Sequence, residues 1–206
     1  MKRTIATMAL VAVAGAANAA TINFEDRALN DVVSTQYSGL GVTFSSGGLT
    51  GNFNTIFSGG TTWNGTAATA TNMQVHNTDV GGGSNGTKVL HTFNGWLSET
   101  GDPVFTMNFT NNVSTISMDF VGISAAASVI AAYNGSTLIN FVKGNSSPGI
   151  QRLTLVPSSA TTKIIVVPGS FGDWQGVDNI DFTLVPAPGA AALLGLGGLV
   201  AGRRRR

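Results

Sequence analysis

The sequence contains no cysteine, two histidines and only 10% charged residues, where an average soluble domain carries roughly a quarter. Without cysteine there is no disulfide framework and no thiolate to attack a substrate or bind a metal, so packing alone must hold the fold. His76 and His91 have no metal-ligand spacing to one another, which removes the common histidine-based metal sites. His91 follows Val89 and Leu90 in a strand-like run and reads as a buried, hydrogen-bonded side chain. No stretch before the C-terminal tail shows the periodicity of a long amphipathic helix, which excludes a helical bundle.

The formal charge of +1 misleads, because six of the 11 basic residues, Lys2, Arg3 and Arg203–Arg206, sit at the two ends. Between them, Arg27, Lys88, Lys143, Arg152 and Lys163 face 10 acidic residues, a net charge of −5. An acidic body of this kind does not bind nucleic acid by charge. What is abundant is glycine, 27 residues of it, together with Ser, Thr and Asn, a composition suited to a β-rich extracellular module.

Both ends read as addresses. Lys2 and Arg3 form a positive n-region, Ile5 to Val13 an apolar h-region and Ala17-Asn18-Ala19 an A-x-A cleavage site, the pattern of a secretory signal peptide. The mature chain is expected to begin at Ala20, with a cut one residue later as the near alternative. At the other end Val185-Pro186-Ala187-Pro188-Gly189 precedes an apolar stretch to Gly202 and then Arg203, Arg204, Arg205 and Arg206. The stretch is shorter than the ~20 residues a spanning helix needs. Gly195, Gly197, Gly198 and Gly202 weaken it as a helix, and the arginines stay on the cytoplasmic side. The alternative is an ordinary uncleaved anchor, which would be longer and richer in leucine.

The order of turn motif, short apolar stretch and arginine cluster over Val185 to Arg206 resembles the tails of PEP-CTERM exported proteins. Ala187 stands where that family has glutamate, so this is a Pro-Ala-Pro variant. The resemblance implies an exosortase-like enzyme that cuts near the motif, a transient membrane anchor, and a place in the cell envelope or an exopolysaccharide or biofilm matrix.

The body from Ala20 to Leu184 has the length of one domain. Ile22/Phe24, Leu40/Val42/Phe44, Ile116/Met118/Phe120 and Ile180/Phe182/Leu184 alternate with polar residues at the period of half-buried strands. Further strands are expected over 88–93, 104–109, 129–133, 137–142, 152–156 and 163–167, with Asn134-Gly135-Ser136 as a hairpin turn. The stretch from Ser45 to Asn85 has little periodicity and reads as long loops. Many short strands with frequent turns predict an all-β, jelly-roll-like β-sandwich, flanked by the signal peptide (1–19) and a short C-terminal apolar helix within the sorting tail (185–206).

The catalytic signals are weak. Gly82-Gly83-Ser84-Asn85-Gly86 fits a nucleophile pattern, and Gly81, Gly83 and Gly86 fit a dinucleotide pattern. One glycine run matches both, and the helix that either needs is missing where a strand is expected. Trp96 and Trp174 lie in loop-like stretches where a flat apolar face suits a sugar ring, although core burial is the commoner fate of tryptophan. In jelly-roll modules similar to the carbohydrate-binding ones, the first and last strands are neighbours and carboxylates on them share a structural calcium. That resemblance implies Glu25 and Asp178 as direct ligands, with Asp181 and Asp26 in weaker positions, through hard oxygens suited to the ion. A solvated strand face or a turn is the other reading of these acids.

Two functions remain. One is a non-catalytic exported surface or matrix protein, associated with carbohydrate or exopolysaccharide. It needs no cofactor beyond a structural calcium, and its partners are the export machinery, signal peptidase, the exosortase-like enzyme, the membrane through the tail, and polysaccharide. The other is a secreted polysaccharide hydrolase or lyase using two acids among Glu25, Asp79, Glu99, Asp102 and Asp173, which would have to face one another across a cleft.

Overall fold

The computed structural model describes residues 17–46, 73–77, 85–91, 104–122, 128–145, 149–168 and 175–186, without the side chains of Ser46 and Gln175. Eleven strands form among them: β1 Asn18–Ile22, β2 Val42–Ser46, β3 Gln74–Asn77, β4 Lys88–His91, β5 Phe105–Phe109, β6 Val113–Gly122, β7 Val129–Asn134, β8 Thr137–Lys143, β9 Gly149–Leu155, β10 Lys163–Val167 and β11 Gln175–Leu184. They make two antiparallel sheets packed as a sandwich. One sheet runs β3-β4-β11-β6-β9 with β1 also on β11, and the other runs β2-β5-β10-β7-β8. The first and last strands are neighbours, as expected.

The alternation seen in the sequence decides which side chains meet between the sheets. Ile116, Met118 and Phe120 from β6 and Ile180, Phe182 and Leu184 from β11 point inward, against Phe44 of β2 and Phe105, Met107 and Phe109 of β5. Phe109 and Phe182 touch edge to face across the sandwich, with ring centroids 5.1 Å apart. β7 and β10 are continuous apolar runs instead of alternating ones, and both of their faces are buried. Ile130, Ala132, Ile164 and Val166 join the main core, while Val129, Ala131, Tyr133, Ile165 and Val167 form a second cluster with Val104. A strand covered on both sides has no polar face to alternate with.

Three local features differ from the sequence reading. Leu40, read as alternating with Val42 and Phe44 in a strand, instead closes a 3-10 turn over Ser38–Leu40 and is exposed. Phe24, read as a strand position, is fully buried but sits in a turn at φ 59°, with Arg27 N–H donating to Phe24 O at 3.0 Å. Gln74–Asn77 is a strand inside the stretch read as loops; it pairs with β4 and is joined by Asn30 and Val33, whose N–H groups donate to Val75 O and Met73 O.

The two ends of the sandwich are unlike. At one end β5 passes into β6 through residues 110–112, β7 turns into β8 at 135–136, and 156–162 lead into β10. Asn18 pairs with Leu184 at this end, and Val185 N–H donates to Asn112 O at 2.8 Å. Both chain termini of the sandwich therefore leave from it. At the other end lie the close of β2, β4, β6, β8 and β10 and the start of β5, β7, β9 and β11.

Candidate functional site

The polar chemistry of the described residues concentrates where β11 changes partner. Val177 of β11 pairs with Leu90 of β4, while Ile180 to Leu184 pair with β1 along the same edge. Between these two contacts β11 bulges. Asp178 faces Asp119 and Asp181 faces Ser117, so Asn179 and Ile180 share the single residue Met118 of β6. Asn179 takes the extra step at φ 46°, a left-handed conformation that asparagine tolerates better than most residues.

Glu25 and Asp178, the two acids expected to bind calcium directly, both turn to one segment, Asn85 to Lys88. Thr87 and Lys88 each donate a backbone N–H to Glu25 Oε1 at 2.8 Å, and Lys88 Nζ donates to the backbone oxygens of Glu25 and Arg27. From the other side Asn85 N–H donates to Asp178 Oδ2 at 3.1 Å, and Asn179 N–H to Asp178 Oδ1 at 2.7 Å. Asp178 is wholly buried. Gly86, at φ 103°, lies so close to Glu25 that a Cβ there would come within 2.3 Å of its carboxylate. Glycine is thus required at this turn both for its backbone and for its lack of a side chain.

Asp181 belongs to a second group on the outer face of the same sheet. Arg152 of β9 bridges Asp119, at 2.9 Å, and Asp181, and it also donates to Ser117 Oγ. Thr21 of β1 donates to Asp181, Asn179 Nδ2 to Asp119, and Asn85 Nδ2 to Asn179. This network ties β1, β11, β6 and β9 together across the face. Arg152 and Asp181 are too exposed for their ion pair to add much by charge alone.

Asp26 lies in a third place. Its Oδ1 accepts the Tyr37 hydroxyl at 2.7 Å, and its Oδ2 accepts Arg27 Nε and Arg27 Nη2. The Arg27 guanidinium holds the Asp26 carboxyl below the usual range, while burial and then Asp26 push the Tyr37 hydroxyl well up. These groups border an open groove of about 380 Å³ whose lining includes Thr21, Asn23, Asp26, Gln36, Tyr37 and Leu40. Among the described residues of that lining Asp26 is the one acid, so they offer no pair of carboxylates for acid and base work.

Among the described residues no three acidic or histidine side chains gather around a point that could hold a metal ion. The four acids named for calcium occupy three settings, in each of which they accept hydrogen bonds from the protein. Trp96, Trp174, Ser84, Asp79, Glu99, Asp102 and Asp173 lie outside the described residues, as do Ala187 to Gly189 and the arginine cluster. Sequence reasoning missed Arg152, Asn179 and Tyr37. Only Asn179 left a trace, the three-residue step from Val177 to Ile180 where a strand should step by two.

His76 and His91 stand side by side on β3 and β4, ring centroids 5.7 Å apart. Burial pushes the His91 pKa down to about 3, and neighbouring His76 acts in the same direction. His91 is therefore a neutral, buried side chain, as its place in the strand suggested.

No family model matches the sequence, and a search of curated proteins finds no match. Solved structures do resemble it. The K1 cleaved adhesin domain of Lys-gingipain from Porphyromonas gingivalis W83 is 10% identical with a TM-score of 0.43, over 80% of this chain and 96% of that one. The K2 cleaved adhesin domain of Lys-gingipain is 10% identical with a TM-score of 0.39, over 81% of this chain and 90% of that one. A mutant family 29 carbohydrate binding module is 10% identical with a TM-score of 0.31, over 69% and 91%. At such identity the likeness is one of β-sheet architecture.

Glu25→Ala leaves two backbone N–H groups without their acceptor and should cost about 1–3 kcal/mol. Glu25→Gln, which keeps an oxygen there, should cost less. Urea midpoints of the two variants check this; equal, negligible effects would mean that the Glu25 contact contributes nothing to stability.

Because the folded pKa of His91 lies below the unfolded value of 6.5, the unfolded state binds more protons between the two. Stability contributed by the neutral ring is complete above pH 6.5 and is lost as pH falls toward 3. The loss approaches ~1.4 kcal/mol per pH unit well below 6.5. Denaturation at pH 7 and pH 5 should show it, and a His91→Phe variant should show a smaller difference between the two.

Proposed function

We propose that this chain is an exported, non-catalytic surface or matrix module, carried out by its signal peptide, held briefly by its PEP-CTERM-like tail, and associated with polysaccharide. The observation that carries the reading is the pairing of Asn18 with Leu184. On this reading, the residues beside the signal-peptide cut and those leading into the sorting motif leave from one end of the sandwich, as suits a module presented from a membrane by that end. The six described acids have structural partners. Glu25, Asp26, Asp31, Asp119, Asp178 and Asp181 all accept hydrogen bonds from the protein itself.

Mass spectrometry of the exported protein should find its first residue at Ala20 or Thr21 and its last near Pro186 to Pro188. An exported form that retains Arg206 would contradict processing. Glycan-array binding of that protein, with and without millimolar calcium, tests the polysaccharide association; Trp96→Ala and Trp174→Ala should weaken it. Absence of binding to any glycan in both conditions would count against it.

A further inference from the structure

The end from which both termini leave has a chemistry of its own. Its segments 38–41, 110–112, 134–136, 156–162 and 184–186 contain no Asp, Glu, Lys or Arg, in a body whose net charge is −5. Leu40, Val156 and Val185 on these segments are 42%, 62% and 45% exposed. The nearby groove holds one acid, Asp26, which is paired with Arg27.

The spacing at the C-terminus makes this matter. Pro186 is followed by Ala187, Pro188 and Gly189, and Ala190 then opens an apolar run. From Pro186 to Ala190 the chain reaches at most ~14 Å even when fully extended. The headgroup layer of one leaflet is only ~5–8 Å thick. If the apolar stretch is in the bilayer, the end of the sandwich cannot stand far from it.

We infer that this end, whose segments carry no acid, is a membrane-contact surface, with Leu40, Val156 and Val185 set into the headgroup layer while the tail is uncut. The inference rests on the reading of the tail as a membrane segment. Acidic groups would be repelled there by lipid phosphates, and their absence from the end segments lets an acidic body approach lipid in one orientation. Exposed aliphatic tips gain by leaving water for the interface. After cleavage nothing holds the end to the bilayer except these few side chains, which suits release.

The test uses the chain from Ala20 to Arg206, the exported form before its tail is cut, in vesicles of phosphatidylethanolamine and phosphatidylglycerol, three to one, carrying nitroxide lipids. Because the protein has no cysteine, a fluorophore can be placed singly at Ser159→Cys on the end, Ile150→Cys at the far end, or Ala191→Cys in the tail. Headgroup nitroxide should quench the label at 159 several-fold more than that at 150, and acyl-chain nitroxide should quench the label at 191. Adding Leu40→Glu and Val156→Glu should reduce quenching at 159 and leave that at 191 unchanged. Quenching at 191 without quenching at 159, or equal quenching at 159 and 150, overturns the contact surface and spares the tail reading. No quenching at 191 overturns both. Self-quenching between labels at 159 without lipid quenching would assign the surface to a second copy of the chain and likewise overturn the proposal.

Discussion

The bulge at Asn179 sets the phase of the last strand, and most of the sandwich depends on that phase. Val177 points into the core, so unbroken alternation would next turn Asn179, Asp181 and Thr183 inward and leave Ile180, Phe182 and Leu184 in water. A slip of one residue reverses every side chain beyond it. The extra residue makes the reversal in the favourable sense, placing the three large side chains in the core and Asp181 on the outer face. It also opens the edge of β11 to two partners, β4 before the bulge and β1 after it.

Two partners on one edge leave a gap between them, and a gap in a sheet exposes backbone N–H groups that need acceptors. Glu25 from the turn after β1 and Asp178 from β11 supply them to the segment that enters β4. The carboxylates thus do at this junction what a continuous ladder would do elsewhere. With β1 seated on β11, Asn18 lies opposite Leu184, and the entry and exit of the domain share one end. A local backbone step is in this way connected to how the module can be presented.

Much of the architecture was legible before any coordinates, because half-buried strands alternate and glycine, asparagine and serine mark their turns. The β-sandwich was readable, while the adjacency of its first and last strands came only from the resemblance to jelly-roll modules. Gln74–Asn77 was not, since a short edge strand offers little more than Val75 as an inward side chain. Phe24 kept its burial and lost its strand, because burial does not specify the backbone that achieves it. The acids were the least legible. A carboxylate binds a cation or a backbone amide through the same oxygens, and which of these it meets depends on residues far away in sequence, here Asn85 to Lys88 for both Glu25 and Asp178.

The central claim is that β1 closes onto β11 in the register that places Asn18 beside Leu184. Thr21 faces Asp181 in that register and remains after the signal peptide is cut, and a chain carrying Thr21→Cys and Asp181→Cys would have only those two thiols. Mild oxidation under native conditions should then form an intramolecular disulfide that does not form in denaturant. Failure to cross-link in the folded chain, while a Ser45→Cys and Thr106→Cys pair from the β2–β5 register does cross-link, would contradict the account.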